Sequence, residues 1–162
     1  MRGFVSYSHR DQAVCTELCK HLGPLRRAYG IDEFWVDEAN TTGRCFRDGY
    51  QRAVDAASIF VLMISTDSLN SAEIMDREIP LIEQRYRNHS CLLLPFVIDD
   101  CLWRAVVGTT LASPRSPKLD LLPLLDWRPR RKGYEAAAQQ FAKSIEGFVG
   151  SPPKPFFDWK RP

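Results

Sequence analysis

The sequence predicts an α/β fold built on an open parallel sheet of about five strands, with helices on both faces. Two observations carry this. Short apolar runs of strand length alternate with helical patterns along the chain, which is the order of βαβ units joined by right-handed crossovers. Two of the runs, Ile59–Ile64 and Cys91–Ile98, are apolar at almost every position, and such runs suit central parallel strands buried on both faces.

Gly3–Tyr7 is the first strand, broken by Ser8-His9-Arg10-Asp11, where Ser8 or Asp11 can cap the next helix. Val14, Leu18, Leu22 and Leu25 recur at helical spacing, and Gly30 ends that helix. Phe34–Val36 is the second strand. Glu38–Arg44, with Asn40, Thr41, Thr42 and Gly43, has no periodicity and reads as an exposed loop. Phe46, Tyr50, Ala53 and Ala57 begin a second helix, and Ile59–Ile64 is the third strand. In Ser65–Tyr86, Met75, Ile79, Ile82 and Tyr86 again recur at helical spacing. Pro80 lacks an N–H and is tolerated only in a first turn, so this helix is expected to start near Glu78, after a looser segment from Ser71. Cys91–Ile98 is the fourth strand, Leu121–Leu125 a fifth, and Tyr134–Val149 a last helix.

Residues 1–150 are expected to form one domain and 151–162 a proline- and aromatic-rich tail or linker. Phe156, Phe157 and Trp159 are too apolar for a free linker, and Pro152, Pro153 and Pro155 prevent a helix, so the tail is expected to dock. The formal net charge of +2 gives no electrostatic footprint for nucleic acid. Charges or prolines interrupt each apolar run short of membrane-spanning length, and the chain enters a strand at once, so neither a membrane span nor a signal peptide is expected. Five cysteines and three histidines at irregular spacing suggest reduced thiols in a cytoplasmic protein, without a metal site.

Several enzyme classes are excluded. There is no GxGxxG after the first strand, no GxxxxGK[ST] and no GxSxG. Ser6-Tyr7-Ser8 and Ser65 stand where a receiver domain needs acidic residues. In open sheets of this kind ligands bind beyond the carboxyl ends of the strands. Those ends are Tyr7–Asp11, Asp37–Phe46, Ser65–Glu78 and Asp99–Trp103, so four loops share one rim. Glu78 stands at the edge of the apolar stripe, where the positive end of a helix favours a carboxylate. Its plain alternative is a first-turn acid that only stabilises the helix.

Five segments in order resemble the boxes of the TIR (Toll/interleukin-1 receptor) domain in its bacterial branch, a flavodoxin-like fold. They are Phe4-Val-Ser-Tyr-Ser-His-Arg-Asp11, Phe34-Trp-Val-Asp37 with the Gly43-containing loop, Ile59–Leu69, Met75-Asp-Arg-Glu-Ile-Pro80, and Pro95-Phe-Val-Ile-Asp-Asp-Cys-Leu-Trp103. The resemblance covers about Gly3 to Trp103, with a weaker echo to Val149. Glu38-Ala-Asn-Thr-Thr-Gly43 lacks the proline of the animal-receptor loop.

The resemblance to NAD-cleaving members implies that Glu78 is catalytic. Phe46 and Trp103 match aromatics beside the nucleotide, and His9 and Arg10 match residues lining the cleft. Tyr7, Ser65 and Asp37, at strand ends, complete the expected substrate-binding set; Arg10 suits a phosphate and Ser65 or Thr66 a hydroxyl. The implied enzyme is an NAD+ nucleosidase or ADP-ribosyl cyclase of bacterial antiphage defence or host manipulation. It takes NAD+ as substrate and no cofactor or metal, and gives nicotinamide with ADP-ribose or a cyclic isomer. The expected partners are a second copy through the Glu38–Arg44 loop and a fused or separate sensor domain, with no nucleic acid and no membrane. The alternative implied by the same resemblance is a non-catalytic interaction module, of TIR or SEFIR type.

Overall fold

The computed structural model describes residues 1–36, 44–88, 90–102 and 123–150, with only the backbone for 44–48. The sheet has the order β2-β1-β3-β4, all parallel, from β1 (Arg2–Ser6), β2 (Glu33–Val36), β3 (Ile59–Ile64) and β4 (Leu92–Val97). Val5 pairs with Val36 on one side and Val61 on the other, and Val61 pairs with Leu94. Every residue of β3 and β4 is buried, as continuous apolar runs require.

Side-chain alternation along the strands divides the interior into two cores. One holds Val5, Ile59, Val61, Met63, Leu94 and Phe96 beneath helices α1 (Gln12–Tyr29) and α5 (Arg130–Val149). Leu18 and Leu22 of α1, and Ala137, Phe141 and Ile145 of α5, pack there at helical spacing. The other holds Phe4, Phe60, Leu62, Ile64, Leu93 and Val97 with Val54 of α2 (Arg44–Ala56) and Ile82 and Tyr86 of α4 (Ile79–Arg87). Within it Phe4 stacks on Trp35 at 5.2 Å and meets Tyr50 edge-on at 5.6 Å.

Three local expectations change. Among the described residues there are four strands, not five. Of the segment Leu121–Leu125, residues 121–122 lie outside the described residues, and Leu124–Asp126 form a 3₁₀ turn. Leu125 N–H donates to the Ile98 carbonyl, beyond β4, at 2.9 Å, and among the described residues no strand ladder forms there. Pro123 offers no N–H to such a ladder, and Leu124 is buried in the α1/α5 core. Asp11 makes no side-chain cap to α1. Ser8 caps instead a 3₁₀ turn, His9–Asp11, accepting from Arg10 N–H at 3.4 Å. Gly30 does end α1, in the left-handed region at φ 64° that favours glycine.

The third change concerns Glu78. Helical structure already begins at Ala72, and a π-turn over Ile74–Glu78 leads directly into α4. Ile79 N–H bonds the Ile74 carbonyl, five residues back. Pro80 has no N–H and its ring crowds the carbonyl four residues back. The wider turn accommodates it within a continuous helical path. Glu78 therefore lies more than a turn inside that path, with helical backbone angles (φ −71°, ψ −52°), and not at a free positive helix end.

Among the described residues no helix is long and apolar enough to cross a membrane. The tail 151–162 lies outside the described residues.

Candidate functional site

The carboxyl ends of β1 and β3 and the π-turn enclose a cleft of about 360 Å³, within the usual range for small-molecule sites. Its floor is Phe4 and Val5, and its wall carries Tyr7, His9, Arg10, Asp67, Asn70, Ser71, Glu73 and Glu78. Four residues expected from the sequence meet here: Glu78, Tyr7, His9 and Arg10.

Glu78 is 8% exposed, a buried carboxylate at the edge of the cleft. Ser6 Oγ donates to its Oε2 at 2.5 Å, a length typical of a charge-assisted O–H···O⁻ bond. Ser6 ends β1 on the same side of the strand as Phe4, facing α4. It is itself buried. Sequence reasoning missed it, although two-residue alternation from Phe4 points to it.

At the mouth, Arg10 Nη1 pairs with Asp67 Oδ1 at 3.0 Å. The Arg10 side chain is 80% exposed, so the pair contributes little to stability and leaves the guanidinium available to an anionic ligand. Glu73 receives both of its carboxylate contacts from Arg77, at 3.0 and 3.1 Å. Tyr7 and His9 meet edge-on, ring centres 5.7 Å apart.

Ser65 belongs to a neighbouring network and does not line the cleft. Its hydroxyl donates to Asp11 Oδ2 at 2.5 Å and accepts from Ser68 N–H at 3.0 Å, closing a capping box on the short helix α3 (Thr66–Leu69). Thr66 N–H donates to both carboxylate oxygens of Asp99, at 3.0 and 3.1 Å. Phe46 lies in α2, its side chain outside the described residues, as are Asp37, Trp103 and residues 38–43 of the expected contact loop.

Burial pushes the Asp11 carboxyl above its ordinary value; the Ser65 hydrogen bond opposes this, and the charges of Asp67 and Asp99 add to it. The folded protein therefore holds the Asp11 proton more tightly than the unfolded chain. Stability from this group is present below the ordinary Asp range and declines as pH rises through it to the raised folded value. Asp11→Asn keeps an acceptor for Ser65 and removes the buried charge. It should melt higher than wild type at pH 7, and the advantage should vanish near pH 3, below the ordinary Asp value of about 3.9. Calorimetry at both pH values checks this; a lower melting temperature at pH 7 contradicts it.

Cys15, Cys19, Cys91 and Cys101 are in no disulfide. The hydrogen bond between Cys15 and Cys19 raises the first and lowers the second, and burial pushes Cys91 up to about 11. None of the four lines the cleft.

A protein of Sinorhizobium fredii (strain NBRC 101917 / NGR234) described as "Uncharacterized protein y4lF" is 27% identical over 148 residues, 91% of this chain and 43% of that protein. The chain thus spans less than half the length of this curated relative. No solved structure gives a significant match. The family model of the TIR domain matches residues 4–141, a span that includes all of the parallel sheet but the first two residues of β1, together with the cleft and Glu78, and the chain belongs to the TIR domain family.

Proposed function

We propose that this TIR domain is an NAD+ glycohydrolase and that Glu78 is its catalytic residue. The observation that carries the reading is the placement of Glu78: a buried carboxylate, fixed by Ser6, on the wall of a cleft large enough for part of a dinucleotide. The nicotinamide of NAD+ is a cationic leaving group, so its departure needs no general acid. The C1′–N bond breaks, the electron pair leaves with nicotinamide as a neutral base, and positive charge develops on the ribose. A fixed carboxylate stabilises that charge, as in glycosidases, and accepts hydrogen bonds from the ribose hydroxyls. Water then adds to C1′ and releases a proton, giving ADP-ribose; capture by a nucleophile within the ADP-ribosyl group gives a cyclic isomer.

Arg10, at the mouth, serves the pyrophosphate by exchanging its Asp67 partner for phosphate oxygens. Trp103 and Phe46 serve as stacking faces, with His9 and Tyr7 on the wall and Asp37 at the rim, as the resemblance implies. Self-association through the Glu38–Arg44 loop completes the site, and a sensor domain controls clustering in bacterial antiphage defence.

The test is purified protein incubated with NAD+, dilute and then clustered on a multivalent scaffold, with nicotinamide release followed by chromatography. The expected result is release that rises per chain on clustering and is lost in Glu78→Ala. Equal release by Glu78→Ala, or none under any clustering condition, overturns the reading and favours the interaction module.

A further inference from the structure

We propose that Ser6 is the positioning residue of Glu78: its hydroxyl holds Oε2 so that the carboxylate meets the cleft in one orientation. The inference rests on the reading of Glu78 as the reacting carboxylate. Three observations point to it. The bond joins residues 72 positions apart, tying the end of β1 to the π-turn, so it fixes the two walls of the cleft relative to each other. Glu78 lines the cleft, whereas Ser6 lies behind it at 3% exposure and is not among the lining residues. Ser6 thus acts through Glu78 and not on a ligand. Finally, the site is costly if its only role is structural. Burying a carboxylate costs free energy unless it is paired or hydrogen-bonded, and the surroundings on this side of the sheet are apolar.

The π-turn belongs to the same device. Its extra residue shifts the register at which α4 meets the sheet. Ile74 and Glu78 both face the cleft across it, while Ile82 continues into the core. The sheet supplies the donor, the widened turn the acceptor, and the carboxylate is set before any substrate arrives.

The experiment compares wild type, Ser6→Ala and Ser6→Thr as full chains, by two independent readouts. The first is a ¹³C NMR titration of the Glu78 carboxyl, assigned by its absence in Glu78→Gln, which needs no turnover. A hydroxyl donating to a carboxylate favours its ionised form. Ser6→Ala should therefore move the Glu78 midpoint upward by about half a unit or more, and Ser6→Thr, which keeps the hydroxyl, should restore it. The second readout is NAD+ turnover by clustered protein. Ser6→Ala should lower kcat by about tenfold or more, the scale of one hydrogen bond to a charged group, with KM within about twofold because binding groups are untouched; Ser6→Thr should recover most of the rate. A purely structural role would lower the melting temperature without a midpoint shift or a split between kcat and KM. An unmoved midpoint, or a folded Ser6→Ala protein with wild-type kcat, overturns the inference. If wild type leaves NAD+ intact, the glycohydrolase reading falls, and the titration alone decides the role of Ser6.

Discussion

Replacing Glu78 by Gln is expected to abolish nicotinamide release while NAD+ binding persists. The amide keeps the size and shape of the side chain, and its oxygen can still accept from Ser6, whose hydroxyl lies 2.5 Å from Oε2 in the wild type. What it loses is the negative charge facing the developing positive charge on the ribose. Losing one preorganised electrostatic group at a transition state costs about 10²–10³ in kcat, and more where, as here, no second group does the same work in the proposed mechanism. The loss should fall mainly on kcat, with a smaller change in the dissociation constant, because the positive charge moves from the nicotinamide ring onto the ribose, toward the carboxylate, as the bond breaks. Chromatography gives turnover, and calorimetric titration of NAD+ gives binding. A Glu78→Gln protein that still cleaves NAD+ at a rate near wild type removes Glu78 from the chemistry.

Phe141→Ala carries the largest expected effect on stability. Phe141 is fully buried in α5, in the core that α1 and α5 form over the sheet. The same core holds Phe96 of β4 and Tyr134, whose rings stack at 5.8 Å, and Tyr134 in turn stacks on His21 of α1 at 5.3 Å. Truncating a buried Phe leaves a cavity that rigid neighbours fill poorly, at a cost of about 3–5 kcal/mol. For a domain of this size that corresponds to roughly 10 °C in Tm. Thermal unfolding checks it. A shift under a few degrees would mean that α5 is not an integral part of the domain, against the continuity of the core.

That core also shows how far the sequence could be read. Ile59–Ile64, judged by its unbroken apolar character, coincides with β3, and the first, second and fourth strands fall within one or two residues of expectation. Long apolar runs bounded by polar turns leave little choice of structure. Leu121–Leu125 misled because a short leucine-rich run has no periodicity to separate a strand from a turn packed on the core. Pro80 correctly marked a break in regular helix, but it could not show that helical structure precedes it through a π-turn. That pattern depends on which carbonyls the neighbouring turn leaves in place.

The site divides in the same way. Glu78, Tyr7, His9 and Arg10 stand at strand ends or at the helix junction, and the open-sheet rule brings them to one rim. Ser65 shares that rim by sequence, yet its hydroxyl is taken up by Asp11 and the cap of α3. Ser68 is a local partner three residues on, whereas Asp11, 54 positions away, reaches Ser65 only through the fold. Ser6 is the converse case: alternation from Phe4 puts it on the α4 side of β1, but its partner Glu78 is 72 positions away and no local pattern names it.

The most direct test of the central claim, that NAD+ binds in the cleft against Glu78, is NMR mapping of NAD+ on the Glu78→Gln protein, in which the substrate survives. The account predicts that the backbone amides of Tyr7, His9, Arg10, Asn70, Ser71 and Glu73 shift together and saturably as NAD+ is added. Unmoved amides around the cleft at NAD+ concentrations that sustain turnover in wild type, with shifts confined to another face, would contradict it.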